Sequence, residues 1–133
     1  MNVQQILIAD DDLDDIELLT EGIVSCKPTI EISYVTDGQQ LMAKLNEGFI
    51  PDILILDINM PCLDGKDCLT MMRATKEFDD IIIVIYSLVE APSAREECLS
   101  AGANYYVVKP TEIAEIIKFG GAISKGNFKL YQK

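Results

Sequence analysis

Ile53-Leu54-Ile55-Leu56-Asp57-Ile58-Asn59-Met60-Pro61 begins as an unbroken apolar run, reaches a carboxylate, and meets a proline four positions later. An apolar run of that length between turn signals reads as a buried strand. Folding gains nothing from a carboxylate at the end of such a strand, because charged side chains are rarely inside unless paired. Asp57 therefore lies either in water at the sheet edge or in a charged site, and the flanking sequence decides which.

Ile6 to Ala9 is a first short apolar run that ends in Asp10-Asp11-Asp12. Leu13, Ile16, Leu19, Thr20 and Ile23 then recur at helical spacing. One of the aspartates is expected to cap that helix, and Lys27-Pro28 to stop it. A strand over about 30–35 and a helix carrying Leu41, Met42 and Leu45 follow, before the stretch quoted above. Beyond it, Asp64-Gly65 reads as a turn, and Cys68, Leu69 and Met72 share a helix face closed by Phe78-Asp79-Asp80. Ile81 to Tyr86 is the most β-branched run in the chain, hence a strand, and Ser87 ends it. Pro92 sits near the start of a helix that runs to Ala101-Gly102. Tyr105 to Val108 is the fifth strand, ended by Lys109-Pro110. A last helix turns Ile113, Ile116 and Ile117 inward, and Gly120-Gly121 is expected to weaken or end it. The stretch from Lys125 to Lys133 carries no signal that places it.

Five strongly apolar strands separated by single helices imply an α/β fold with a parallel sheet covered on both faces. In such folds ligands bind beyond the C-terminal strand ends. Asp10 and Asp11, then Asp57 with Asn59 just beyond it, Ser87, and Lys109 follow strands one, three, four and five respectively. Taken singly, each has an ordinary explanation as a cap, a turn residue or a solvated charge. Together they converge on one edge.

Three carboxylates at close range repel: two unit charges at ~4 Å cost about 4 kcal/mol at an effective dielectric of ~20. A raised pKa, the Lys109 ammonium or a bound dication would relieve this. Oxygen ligands without His or Cys suit a hard ion, Mg²⁺ or Mn²⁺. An aspartate beside such an ion and a lysine has the makings of a nucleophile toward phosphorus. No glycine-rich phosphate loop points to a bound nucleotide.

Composition bounds the rest. The chain has 133 residues, 49% hydrophobic and 25% charged, which fits one globular domain. A net charge of −11 argues against nucleic-acid phosphates and anionic membrane surfaces as partners. There is no histidine, which excludes a His-based triad, a His metal ligand and a self-contained phosphohistidine. The four cysteines form no CxxC pair and read as reduced, mostly buried thiols. The N-terminus lacks the basic region of a signal peptide, and no run is long enough to span a membrane, so a cytoplasmic protein is expected.

Ile-Leu-Ile-Ala-Asp10-Asp11-Asp12, Leu-Asp57-Ile-Asn-Met-Pro61 with Asp64-Gly65, Ser87 after strand four, and Ala-Gly-Ala-Asn-Tyr-Tyr-Val-Val-Lys109-Pro110 jointly resemble the response-regulator receiver domain of two-component signalling, from about Ile6 to about Ser124. The resemblance implies a flavodoxin-like, doubly wound sheet of order 2-1-3-4-5 with five helices. It implies that Asp57 is the phosphoacceptor, taking a phosphoryl group from a histidine on a partner kinase or phosphotransfer protein. Asp10 and Asp11 resemble the Mg²⁺-binding pair, joined by Asp57 and the Asn59 carbonyl. Ser87 is similar to the switch hydroxyl, Lys109 to the phosphoryl-binding lysine, and Tyr106 to the aromatic that turns inward with the hydroxyl. The Lys109–Pro110 bond is expected to be cis. Leu88 departs from the family, which usually has a small residue there, and a leucine is expected to alter access to the site or phosphoryl lifetime.

The expected organisation is one receiver domain over 1–133, with a core at about 5–124, a short tail over 125–133 and no output domain. Such a protein signals through a downstream protein partner or relays the phosphoryl group, and many relatives form homodimers through the last helix region. Two other classes compete. A Mg²⁺-dependent phosphohydrolase with an aspartyl nucleophile typically has a second acid two residues on, where Asn59 stands here. A phosphorylation-independent docking module would be indifferent to the loss of Asp57.

Overall fold

The computed structural model describes residues 2–131. Its strands are β1 (Gln5–Ala9), β2 (Glu31–Val35), β3 (Ile53–Leu56), β4 (Ile82–Ser87) and β5 (Tyr105–Val108). Five helices alternate with them: α1 (Leu13–Cys26), α2 (Gly38–Asn46), α3 (Gly65–Arg73), α4 (Pro92–Ser100) and α5 (Ile113–Ser124). The strands form one parallel sheet in the order β2-β1-β3-β4-β5, as the resemblance implied.

Strand periodicity divides the interior into two cores. Leu7, Ala9, Leu54, Leu56, Ile83 and Ile85 point to one face, where α2, α3 and α4 bring Leu41, Met72 and Cys98. Their neighbours Ile6, Ile8, Ile53, Ile55, Val84 and Tyr86 point to the other, against Ile16 and Leu19 of α1 and Ile116 and Phe119 of α5. Successive side chains in a strand face opposite ways, so a strand buried on both faces must be apolar at every position. The continuous run at Ile53–Leu56 records that arrangement, and all four residues are buried.

Three features depart from the sequence expectations. The glycines at 120 and 121 do not end α5, which continues to Ser124. They lie in its contact with α1. A Cβ on Gly120 would stand 2.7 Å from the Leu19 carbonyl oxygen, and one on Gly22 would collide with the Ile117 carbonyl. The missing side chains let the two helix backbones meet directly. Helix α3 stops at Arg73 and a 3-10 turn, Lys76–Phe78, completes the connection. The Arg73 guanidinium holds this corner, donating to the carbonyls of Gly102 (2.8 Å), Phe78 (3.0 Å) and Ile81 (2.9 Å) and to Asn104 Oδ1 (3.0 Å). Finally, the segment after α5 is docked. Phe128 is buried with its ring 4.6 Å from Tyr105, and Tyr131, in a second 3-10 turn, meets Phe119 edge-on at 4.8 Å. Residues 132 and 133 of the expected tail lie outside the described residues.

Of the four free cysteines, Cys68 and Cys98 are buried and Cys26 and Cys62 are exposed. Cys62 has φ 71°, the left-handed region. That conformation costs a residue with a Cβ about 1–2 kcal/mol. Cys62→Gly removes that cost, and the extra freedom of glycine in the unfolded chain offsets about 0.5–1 kcal/mol of the gain. A net stabilisation of roughly 0.5–1 kcal/mol, seen as a Tm rise of a few degrees in a thermal melt, is expected. A fall in Tm would show that the Cys62 side chain makes a contribution larger than its backbone strain.

Candidate functional site

Each of the C-terminal strand ends except that of β2 delivers one or more polar groups to one place, and local backbone chemistry fixes each of them. Asp12 caps α1, its carboxylate accepting from Asp14 N (3.0 Å) and Asp15 N (3.3 Å). That leaves Asp10, at the end of β1, to turn inward with Oδ1 accepting from Asp12 N at 2.9 Å. After β3, Asp57 Oδ1 accepts from Asn59 N at 3.0 Å. Asp64 caps α3, accepting from Asp67 N at 2.9 Å, and Gly65 begins that helix so close to the Asp57 and Ile58 backbone that a Cβ would not fit. The Asp64-Gly65 turn therefore brings α3 directly against the end of β3.

Asp10, Asp57, Ser87 and Lys109 are all buried, whereas Asp11 is exposed. Asp10, Asp11 and Asp57 each offer a carboxylate oxygen within 4.8 Å of the others. Lys109 Nζ lies 2.9 Å from Asp10 Oδ2, 3.4 Å from Asp57 Oδ2 and 2.9 Å from Asp15 Oδ2. Asp15 was not among the residues anticipated from sequence. An acid in the first turn of a helix normally needs no explanation beyond the positive end of the dipole, and its spacing gives no sign that its side chain reaches Lys109. Tyr86 was also missed, since it reads as one more apolar strand residue. Its ring stacks on Phe119 at 5.2 Å and lies 5.5 Å from the Lys109 ammonium.

Burial raises the Asp10 pKa from its ordinary value to about 6, against the opposing pull of Lys109 and of the Asp12 N–H; the Asp57 charge adds to the rise. Burial alone would lower Lys109, but hydrogen bonds to Asp10 and Asp15 outweigh it and hold the ammonium above its usual range. Three carboxylates (Asp10, Asp15, Asp57) thus surround one ammonium, and a fourth, Asp11, stands beside Asp10 and Asp57. Asp10 Oδ2 is fully buried and, beyond this ion pair, has no well-formed hydrogen bond among the described residues. A hard dication fits a donor set of this kind, with all-oxygen ligands, excess negative charge and an open lone pair. Beside the carboxylates opens a cleft of about 610 Å³ lined by Asp11, Asn59, Met60, Lys66, Val89 and Ala94 among others.

On the β4–β5 side, Ser87 Oγ accepts from Val89 N (3.1 Å), and the Lys109 N–H donates to the Ser87 carbonyl (2.8 Å). Tyr106 is turned inward, its hydroxyl donating to the Val89 carbonyl at 2.7 Å. Leu88 stands 71% exposed and does not line the cleft. The expected cis bond at Lys109–Pro110 is not found, as no cis peptide occurs among the described residues. Trans is the ground state of an X–Pro bond by about 0.5–1 kcal/mol, and in this trans arrangement Lys109 already reaches all three carboxylates.

Residues 6–119 match the family described as the response regulator receiver domain. The transcriptional regulatory protein PrrA of Mycobacterium tuberculosis is 34% identical over 113 residues, 85% of this chain and 46% of PrrA, so the chain spans less than half of that relative. The phosphorylated cyanobacterial phytochrome response regulator RcpA has the same fold, with a TM-score of 0.88, 22% identity and 96% of each chain covered. A CheX–CheY–BeF3–Mg²⁺ complex from Borrelia burgdorferi aligns with a TM-score of 0.72 and 27% identity over 90% of this chain and 88% of that one. The strand order, the acidic cluster with its lysine and the family match over residues 6–119 agree, and the chain belongs to the response regulator receiver domains of two-component signalling.

Proposed function

We propose that this chain accepts a phosphoryl group on Asp57 from a phosphohistidine of a sensor kinase or phosphotransfer protein, and passes the signal to a protein partner. The observation that carries this reading is a buried Asp57 carboxylate 3.4 Å from the Lys109 ammonium, beside the Asp10–Asp11 pair and an open cleft. In the transfer, an Asp57 carboxylate oxygen bonds to phosphorus while the phosphorus–nitrogen bond breaks, and the bonding pair returns to the partner's imidazole. Lys109 exchanges a carboxylate for a phosphoryl oxygen, offsetting its charge. Asp10, Asp11, Asp57 and the Asn59 carbonyl would hold Mg²⁺ or Mn²⁺, which supplies further neutralisation of phosphoryl charge. The BeF3–Mg²⁺ state named for the Borrelia relative supports that assignment.

Ser87 Oγ is the hydroxyl that donates to an added phosphoryl oxygen, and Tyr106, through the Val89 carbonyl, ties that hydroxyl's loop to the β5 surface. Phosphorylation brings about −1.5 to −2 charges, and the readout is the balance between arrangements of this loop. Leu88, exposed beside Ser87, acts at most on entry of water or partner to the site, so Leu88→Ala is a probe of phosphoryl lifetime.

With a small-molecule phosphodonor and Mg²⁺, the chain should gain one acid-stable, hydroxylamine-labile phosphoryl group. Asp57→Asn, or chelation of the metal, should reduce labelling to background. Equal labelling of the Asp57→Asn chain would overturn the assignment.

A further inference from the structure

We propose that Asp15 is a positioning residue for the cation site: it gives the Lys109 ammonium a partner of its own, so that Lys109 yields Asp10 and Asp57 to a dication instead of competing for them. This rests on the reading of Asp10, Asp11 and Asp57 as cation ligands.

The geometry sets up a competition. An ammonium has three N–H donors, and three carboxylates stand around Lys109 Nζ at 2.9, 2.9 and 3.4 Å. Two of them, Asp10 and Asp57, also belong to the oxygen cluster that suits a metal, and Asp15 does not. Asp15 touches the lysine without being part of that cluster. Beneath the ammonium, the Tyr86 ring, fixed by its stack on Phe119, closes the way toward the sheet and offers the cation its face.

A buried ammonium stripped of partners is strongly disfavoured. Without Asp15, Lys109 has the metal-binding carboxylates as its remaining anionic contacts, and an incoming dication must displace or tolerate a positive charge on its own ligands. With Asp15, the ammonium keeps one full ion pair while Asp10 turns to the metal. Asp15 can do this because it projects from the first turn of α1, where Asp12 has already satisfied the helix end. Its side chain, 19% exposed, is therefore free to turn toward β5.

The test is Mg²⁺ affinity of the 133-residue chain by calorimetric titration. Asp14→Asn is the control, since Asp14 is the exposed neighbour on the same turn and its loss changes net charge identically. Asp14→Asn should weaken Mg²⁺ by about twofold or less, as expected for a screened surface charge. Asp15→Asn and Asp15→Ser should each weaken it by about tenfold, the scale of losing a charge-assisted contact. In a Lys109→Met background no ammonium competes, and Asp15→Asn should then equal Asp14→Asn. If Asp15→Asn matches Asp14→Asn in the chain with Lys109, or if its excess effect persists in Lys109→Met, the role assigned to Asp15 is wrong. Absence of Mg²⁺ binding by the unaltered chain would overturn the cation reading and this inference with it.

Discussion

Gly22→Ala should destabilise the fold by about 3 kcal/mol, although helix propensity alone predicts a gain of about 1 kcal/mol. The two effects have opposite signs, and the contact between α1 and α5 decides between them. A Cβ at position 22 would meet the backbone carbonyl of Ile117, which cannot rotate away as a side-chain tip can. The helices must separate, and the buried layer of Leu19, Ile23, Ile116, Phe119 and Ile123 then loses packing. In urea the unfolding midpoint should fall by about 1–2 M with little change in slope. Gly120→Ala strikes the same contact from the other side, so the double variant should lose less than the sum of the singles. A Gly22→Ala chain as stable as the parent would mean that α5 slides over α1 at little cost.

The second large effect is on pH. Asp10 has a folded-state pKa of about 6 against an ordinary value of 3.8, principally because burial penalises its charged form. Between those values the folded chain binds more protons than the unfolded chain, so stability falls as pH rises through this window. The penalty is absent below about pH 4, is fully present above about pH 6, and amounts to roughly 2–3 kcal/mol. Lys109 does not mask it. Its shift is upward, so its stabilisation is complete throughout this window and is lost only at strongly alkaline pH. Without divalent metal, Asp10→Asn should therefore gain stability at pH 7 relative to the parent and lose that advantage by pH 4, in urea titrations at matched ionic strength. Added Mg²⁺ should stabilise the parent at pH 7 far more than the variant. A difference between the two chains that is flat from pH 4 to 7 would remove Asp10 as the source.

These two results draw on different layers of the chain. The sheet and the convergence of Asp10, Asp57, Ser87 and Lys109 were legible in sequence because they follow from local pattern. Apolar runs mark strands, and whatever polar residue ends each run must gather on the same edge of a parallel sheet. The α1–α5 contact was not legible. Gly120-Gly121 has the local preference of a helix terminus, and only a partner backbone passing beside it makes the missing side chains an advantage. Asp15 and Tyr86 escaped for a related reason, since each satisfies an ordinary local role while its side chain serves a residue 94 or 23 positions away. The docking of Phe128 on Tyr105 and of Tyr131 on Phe119 likewise depends on neighbours 23 and 12 positions away.

The stack of Tyr86 on Phe119 beneath Lys109 has an optical consequence. The chain has five tyrosines and no tryptophan, so its near-ultraviolet emission is tyrosine emission throughout. Tyr86 lies beside the ammonium that must rearrange when cation or phosphoryl arrives, and Tyr106 bonds to the loop that carries Ser87. Both chromophores are buried in fixed surroundings, against a background of three others. Events at the acidic cluster should therefore register in the native fluorescence of the protein, so that its occupancy can be followed in real time without a label.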